Sequence, residues 1–550
     1  MTLTDRSPRR HDPKAVRYPA AAVDHYRSAG LWGTRTIPAE LQASAALHPA
    51  AEAVVTAERR VTYAELAARS DAVAARLVDI GLEPGDPVLL QVGNTVETVE
   101  AFYGLLKAGA IPVCSLVPFG AHEVEAIARL VGARAHLVQA DIATRDLLGV
   151  AAALRQAVPT VEHTLTIRGG DAASVRIDDA PPAAPVDRSG DPDDVAVLQL
   201  SGGTTGTPKA IPRLHAEYWY NGVATAARCG VEAGDRVGHL LPIVHNAGIH
   251  MSLFPAHAVG ATLVLAPTWS PEIVVDLMQR ERLDHVGTLT SLVFGVLDDP
   301  AFLAGAAQLK RLNLAIPAVP ADMFDRLSEA DVDVHQFFGM SEGFCCASPI
   351  GAPAEMRATT VGYPLSEDDE MLLVDPDTGI ETPVGEPGEL CVRGPYTLRG
   401  YYGASAHNAT AFTPDGYLRT GDIVRIVDID GHPCLRIEGR SKDLISRGGE
   451  KINASEIEAL LVQHPRISAA ALVAMPDTRL GERACAFVVT EGAPPELDEL
   501  RAFLAERGVA KYKWPERLEN IDVLPVTPVG KVAKAELRTV LSARLAGPGE

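Results

Sequence analysis

The chain reads as an α/β protein. Apolar strand-like runs alternate with amphipathic segments over most of the first 430 residues, turns rich in glycine and proline separate them, and 550 residues exceed what one compact core fills. The first strand-like run is "PVLLQVG" at 87–93, followed by "VAVLQL" at 195–200, "ATLVLAP" at 261–267 and "RLNLAI" at 311–316. Short apolar runs of this kind suit strands covered by helices on both faces. Residues 168–194, rich in Gly, Pro and Asp, read as a surface connection and a candidate subdomain boundary. A second change comes at 437–451, where charges and glycines cluster between strand-like "CLRI" and helix-like "ASEIEALLVQH" at 454–464. Beyond it "ACAFVVT" at 484–490, "LDELRAFLAERG" at 497–508 and "AKAELRTVLSARL" at 533–545 fit a small α+β domain. The expected division is a large N-terminal domain of several subdomains over 1–440 and a small C-terminal domain over 441–550.

Composition narrows the function. Hydrophobic residues make up 47% and charged residues 22%, as in a soluble globular protein. Fifty basic against 71 acidic residues leave a net charge of −21, which argues against nucleic acid and against anionic membrane as partners. Any anionic substrate must therefore meet locally placed positive groups. Seven scattered cysteines without a CxxC pair fit reduced thiols. The start "MTLTDRSPRRHDPK" lacks the apolar core of a signal peptide, and no 18-residue apolar run occurs, so the expected location is cytoplasmic.

The stretch "SGGTTGTPK" at 201–209 concentrates glycines, hydroxyls and a lysine directly after the run 195–200 and precedes a helix-like segment expected to begin near Arg213. Glycine lets backbone N–H groups converge, Ser and Thr add donors, and Lys209 adds a mobile positive charge, a set suited to a polyphosphate. Pro208 before Lys209 breaks the Walker A pattern, so this is a phosphate loop of another kind or an ordinary Gly-rich turn.

"LQLSGGTTGTPKAIPR" resembles the phosphate-loop signature of the ANL superfamily of adenylate-forming enzymes. "YAEL" at 63–66, "LLKAGAIPV" at 105–113, "FGMSEG" at 338–343, "GELCVRGPYTLRGYY" at 388–402, "YLRTGD" at 417–422, "IEGRSKDLISRGGEKINASEIE" at 437–458 and "PVTPVGKVAKAEL" at 525–537 resemble further motifs of that family, in its order. "GPYTLRGYY", the pair His245 and Asn246, and "SRGGEK" are most similar to the stand-alone aryl-acid ligases that act on 2,3-dihydroxybenzoate and salicylate. The resemblance implies the ANL fold with a mobile C-terminal cap. It also implies a two-step reaction: carboxylate and ATP give an acyl adenylate and pyrophosphate, and a thiol then attacks the adenylate.

It implies roles as well. Ser201, Gly202, Gly203, Thr204, Thr205, Gly206 and Lys209 would hold phosphate, with Gly339, Met340 and Ser341 also on the nucleotide. Attack of a carboxylate on a triphosphate needs charge neutralisation, and Lys531 in "PVGKV" would bridge the two anions. Glu342 would hold Mg²⁺, Asp422 would accept from the ribose hydroxyls, and Arg440 would pair with ribose or phosphate oxygens. Lys442 would be the hinge that turns the cap between half-reactions, after which 447–451 would face a pantetheine arm. His245 would close one wall near the carboxylate as a second catalytic candidate, and Asn246 would meet the ring's ortho substituent. A zinc site in "HNAGIH" is disfavoured because residues five apart on an α-helix diverge.

The chain also departs from the pattern. Ala315, Ile316 and Pro317 stand where relatives carry Gly-Gly-Ala, which implies a reshaped acyl pocket. Ala247 replaces a frequent tyrosine, Cys345 a small aliphatic residue, and His250 adds a polar group. Asn246 favours an ortho hydroxyl or amino acid, with salicylate-like acids central. The expected acceptor is the phosphopantetheine thiol of a separate aryl carrier protein, with free coenzyme A as the competing reading and a non-catalytic nucleotide-binding homologue as one of another class. The expected assembly is a monomer or homodimer.

Overall fold

The computed structural model describes residues 14–201, 208–315, 319–447, 450–490, 492–527 and 531–546. Among them the strands form four sheets. A seven-stranded sheet runs in the order Val175–Arg176, His163–Ile167, Ala135–Gln139, Pro87–Gln91, Ile111–Cys114, Val195–Leu200 and Ala210–Leu214, parallel except for its last pair. Its central strands are buried on both faces, which explains their unbroken apolar runs. A nine-stranded sheet carries the parallel strands Arg236–His239, Thr262–Leu265, His285–Leu289, Arg311–Ala315 and Val334–Gly339. One core joins the two sheets through helices that include Tyr63–Asp79, Val96–Ala108 and His215–Cys229.

A four-stranded antiparallel sheet, Glu370–Val374, Gly388–Arg393, Leu418–Ile429 and His432–Arg440, completes the large domain. The small C-terminal domain is built on Leu444–Arg447, Glu450–Asn453, Ile467–Asp477 and Gly481–Thr490, with Arg517–Asn520 added in parallel. Its apolar clusters are its own, one around Ile457, Leu472 and Leu500 and one around Val473, Phe487 and Leu541. The mixed α/β class, with a large domain followed by a small one, is as the sequence predicts.

Two readings need correction. The segment 168–194 is no boundary: the strands on either side of it, His163–Ile167 and Val195–Leu200, lie in the same sheet. It crosses the surface with Ile177 and Ala180 buried, and Arg69 donates to the Ala180 carbonyl at 2.9 Å. The segment after the Gly-rich stretch is not yet helical at Arg213. Ala210–Leu214 is a strand pairing back onto Val195–Leu200, and the helix begins at His215. The strands that flank the Gly-rich stretch are therefore antiparallel neighbours. No described helix is long and apolar enough to cross a membrane.

Candidate active site

The hairpin fixes the ends of the phosphate-loop candidate. The Ser201 N–H donates to the Lys209 carbonyl at 2.9 Å, and the Lys209 N–H donates to Ser201 Oγ at 3.0 Å. Gly202, Gly203, Thr204, Thr205 and Gly206 lie outside the described residues. Lys209 places its ammonium 5.7 Å from the centre of the Tyr401 ring, and the Tyr401 hydroxyl donates to Glu342 Oε1 at 2.8 Å. The loop's lysine and the candidate metal ligand thus meet across one aromatic ring. His407 packs on the same ring, and burial together with the Lys209 charge lowers its pKa.

Glu342 sits in a tight turn at the end of the strand Val334–Gly339. The Gly343 N–H donates to Met340 O at 3.0 Å, and the Glu342 carbonyl accepts from Leu398 N–H at 2.8 Å. The turn demands glycine at 343: its φ is +119°, and a Cβ there would stand 1.7 Å from the Tyr396 carbonyl oxygen. One Glu342 carboxylate oxygen holds Tyr401 while the other carries no protein partner among the described residues. A hard, ionisable oxygen left over near the lysine of the phosphate-loop candidate suits Mg²⁺.

His245 caps the short helix Asn246–Gly248, its Nδ1 accepting from Ala247 N–H at 3.2 Å. That fixes the neutral tautomer with the proton on Nε2. Burial pushes the His245 pKa down to about 4, and the positive charge of Lys531 adds to the shift. The charge of Lys531, carried by the small domain, thus reaches His245. Lys531 is held to Thr527, whose N–H donates to Lys531 O at 2.7 Å while its Oγ1 accepts from Lys531 N–H at 3.2 Å.

Asn246 is buried and held from three sides. Its Oδ1 accepts from Arg213 at 3.0 Å and from the Tyr218 hydroxyl at 2.8 Å, and its Nδ2 donates to Met340 O at 3.2 Å. Arg213 is itself wholly buried, forked onto both oxygens of Glu217 at 2.9 Å. Burial alone would discharge it, but the Glu217 carboxylate outweighs that and holds it charged. Sequence reasoning passed over Arg213, Tyr218, Glu217 and Tyr401. The available signal was an arginine ending an apolar strand with a glutamate four residues on.

Cys345 and His250 lie deeper. The Cys345 Sγ donates to Gly343 O at 3.1 Å and stands 3.9 Å from His250 Nδ1, while His250 packs on Phe337. Burial raises the thiol to about 12 and lowers the imidazole to about 3, so both are neutral. Met251 and Phe337 line a cavity of about 10 Å³ with Gly287 and Asn313. The α-helical spacing expected over 245–250 holds for Asn246–Gly248 and gives way at Ile249–Leu253 to a π-turn, a form frequent at functional sites. Ala315 pairs with Phe337 at the end of its strand, and Ile316 and Pro317 lie outside the described residues.

Asp422 and Arg440 face each other across two antiparallel strands, with Arg440 Nε 2.7 Å from Asp422 Oδ1. Immediately after Arg440 the backbone of Lys442 lies in a 3₁₀ turn, Ser441–Asp443, which leads into the small domain. Arg538 of the last helix anchors to Asp443 at 2.7 Å.

Comparisons with known proteins fit this arrangement. The model of the AMP-binding enzyme family matches residues 41–402, and that of the AMP-binding enzyme C-terminal domain matches residues 456–531. A salicylyl-CoA synthase / salicylate adenylyltransferase from Streptomyces sp is 39% identical, covering 96% of this chain and 97% of its own. A salicyl-AMP ligase / salicyl-S-ArCP synthetase from Mycobacterium tuberculosis is also 39% identical, covering 94% and 93%. Among solved structures, apo MbtA from Mycobacterium smegmatis superposes with a TM-score of 0.74 at 37% identity, covering 96% of this chain and 98% of that one.

Proposed function

Because this chain belongs to the family of AMP-binding enzymes, we propose that it activates an ortho-substituted aryl acid with ATP, releasing pyrophosphate, and passes the aryl group from the adenylate to a thiol. The observation that carries the reading is the approach of Lys531, from the small domain, to His245 on the wall that also holds Asn246. A carboxylate and a triphosphate repel each other, and an ammonium between them offsets that repulsion while aligning the attack. Neutral His245 offers Nε2–H as a wall donor without adding charge. Ser201, Lys209 and the Met340–Ser341 turn flank the phosphates, and Asp422, an acceptor, takes the ribose hydroxyls with Arg440 beside it. Glu342 would hold Mg²⁺, which when bound neutralises phosphate charge.

The cap over 441–550 then swings about Lys442, since one lysine cannot serve both half-reactions. The names of the relatives support two acceptors: the Mycobacterium tuberculosis protein is named for a carrier-protein thioester, the Streptomyces one for a CoA thioester. We favour a separate carrier protein, in a cytoplasmic monomer or homodimer. Comparing carrier loading with CoA-dependent AMP release separates the two. For the first half-reaction the test is ATP–pyrophosphate exchange over a panel of ortho-substituted benzoates. Exchange is expected, and Lys531→Ala should lower it by about 10²-fold or more, the scale of losing an oriented charge donor. Exchange unchanged in that variant would remove Lys531 from the chemistry.

A further inference from the structure

We propose that the N-terminal arm, residues 14–32, belongs to the nucleotide site: it positions Glu342 by clamping the loop 395–403, on which the Glu342 turn rests. The proposal rests on the reading of Glu342 as the Mg²⁺ ligand made under Proposed function. None of the motifs that point to the site lies before residue 63, so the sequence alone gives the arm no role. The structure runs it antiparallel along the loop. The Lys14 carbonyl accepts from Gly403 N–H at 2.9 Å, the Tyr18 hydroxyl donates to Thr397 O at 2.7 Å, and Trp32 Nε1–H donates to Pro395 O at 2.8 Å. Between the first two contacts Val16 closes on Gly400, where a Cβ would stand 2.4 Å from its Cγ2.

The donors of the arm are themselves fixed. Tyr18, Tyr26 and Trp32 are buried in one aromatic cluster, with Tyr18 edge-on to Trp32 at 4.9 Å and the Arg399 guanidinium 4.8 Å from the centre of the Tyr18 ring. A buried carbonyl that accepts from such a ring cannot shift without losing its partner, and an unpaired buried carbonyl is costly. The arm therefore sets where the backbone of the loop lies.

The same loop holds Glu342. Leu398 N–H donates to the Glu342 carbonyl at 2.8 Å, the Tyr401 hydroxyl donates to Glu342 Oε1 at 2.8 Å, and the Tyr396 carbonyl lies where a side chain at 343 would fall. Asn408 holds the Tyr401 backbone from both ends, its Oδ1 accepting from Tyr401 N–H at 2.8 Å and its Nδ2 donating to Tyr401 O at 3.0 Å. Pro395, Thr397 and Gly400 thus take the arm, while Tyr396, Leu398 and Tyr401 take the turn. The loop is a spacer between the two. Tyr18 and Trp32 are positioning residues, acting through it to fix where the second Glu342 oxygen points.

The experiment measures ATP binding to the full chain by calorimetry without aryl acid, once with Mg²⁺ and once with EDTA. Tyr18→Phe and Trp32→Phe each keep an aromatic ring and remove one donor. They are expected to weaken binding of Mg²⁺–ATP by roughly 3- to 10-fold, the factor for one buried hydrogen bond, and to leave binding in EDTA unchanged. The KM for salicylate in ATP–pyrophosphate exchange should stay as it is, which general loosening of the fold would not allow. In the Tyr401→Phe background the same substitutions should weaken binding less, because both changes act on one carboxylate. Should Trp32→Phe not fold, Tyr18→Phe decides. Equal weakening with and without Mg²⁺, no weakening, or full additivity with Tyr401→Phe overturns the role of the arm, and Glu342 keeps its own if Glu342→Gln removes the advantage that Mg²⁺ gives. Should Glu342→Gln retain that advantage, the reading beneath falls and this proposal with it.

Discussion

Gly343 shows how much one residue constrains this site. Its positive φ and the 1.7 Å approach that a Cβ would make to Tyr396 O leave no room for a side chain between Glu342 and Phe344. Gly343→Ala should lower stability by about 2 kcal/mol or more, read from chemical denaturation. It should also weaken exchange disproportionately at low Mg²⁺, because the displaced turn carries Glu342. Loss of stability with an unchanged Mg²⁺ dependence would detach Glu342 from the metal. The motif "FGMSEG" pointed to Glu342 from the sequence, and Gly343 is what gives its carboxylate a fixed place. Asn246 was equally visible as a residue, but the sense of its amide was not, since that depends on Arg213, Tyr218 and Met340.

At the scale of elements, the hairpin around 201–209 and the helix His215–Cys229 are tied by one ion pair. Glu217 accepts from Leu214 N–H at 2.7 Å and from both ends of the Arg213 fork, closing the helix start and neutralising the buried cation at once. Glu217→Ala leaves a guanidinium buried without its counter-ion, and a loss of about 3–5 kcal/mol in unfolding free energy is expected. Unfolding at the wild-type denaturant midpoint would mean that Arg213 finds water instead. The helix itself was legible from its apolar spacing. The strand Ala210–Leu214 was not, because an arginine and a proline in five residues argue against a strand until the pairing with Val195–Leu200 is known.

For the whole molecule, the histidine inventory sets the acid limit. Burial lowers His136 and His250 to about 3 and His239, His257 and His335 to about 4, and His245 joins them at about 4. An unfolded chain protonates these groups near 6.5 while the native one does not, so stability is full above that pH and is lost as pH falls from 6.5 toward 4. Asp369 works the other way: burial raises it to about 8, so its contribution fades as pH rises toward that value. Six groups outweigh one. Urea midpoints should fall steeply between pH 6.5 and 4.5, and a flat profile across that range would show that the histidines are hydrated.

The amino-acid sequence by itself determined the α/β class and the large and small domains, because strand burial leaves its mark within a few neighbouring positions, and it offered Lys209, Glu342, Asp422 and Lys531 as candidates through motifs that resemble those of a family. Only the tertiary structure decided which residues meet. The charge of Lys531 is felt at His245 although 286 positions separate them, and Tyr401 bridges Lys209 to Glu342 from a third segment. It also decided the sense of the Asn246 amide. Such contacts arise from the packing of whole sheets and helices against one another, and local spacing along the chain carries no record of that packing.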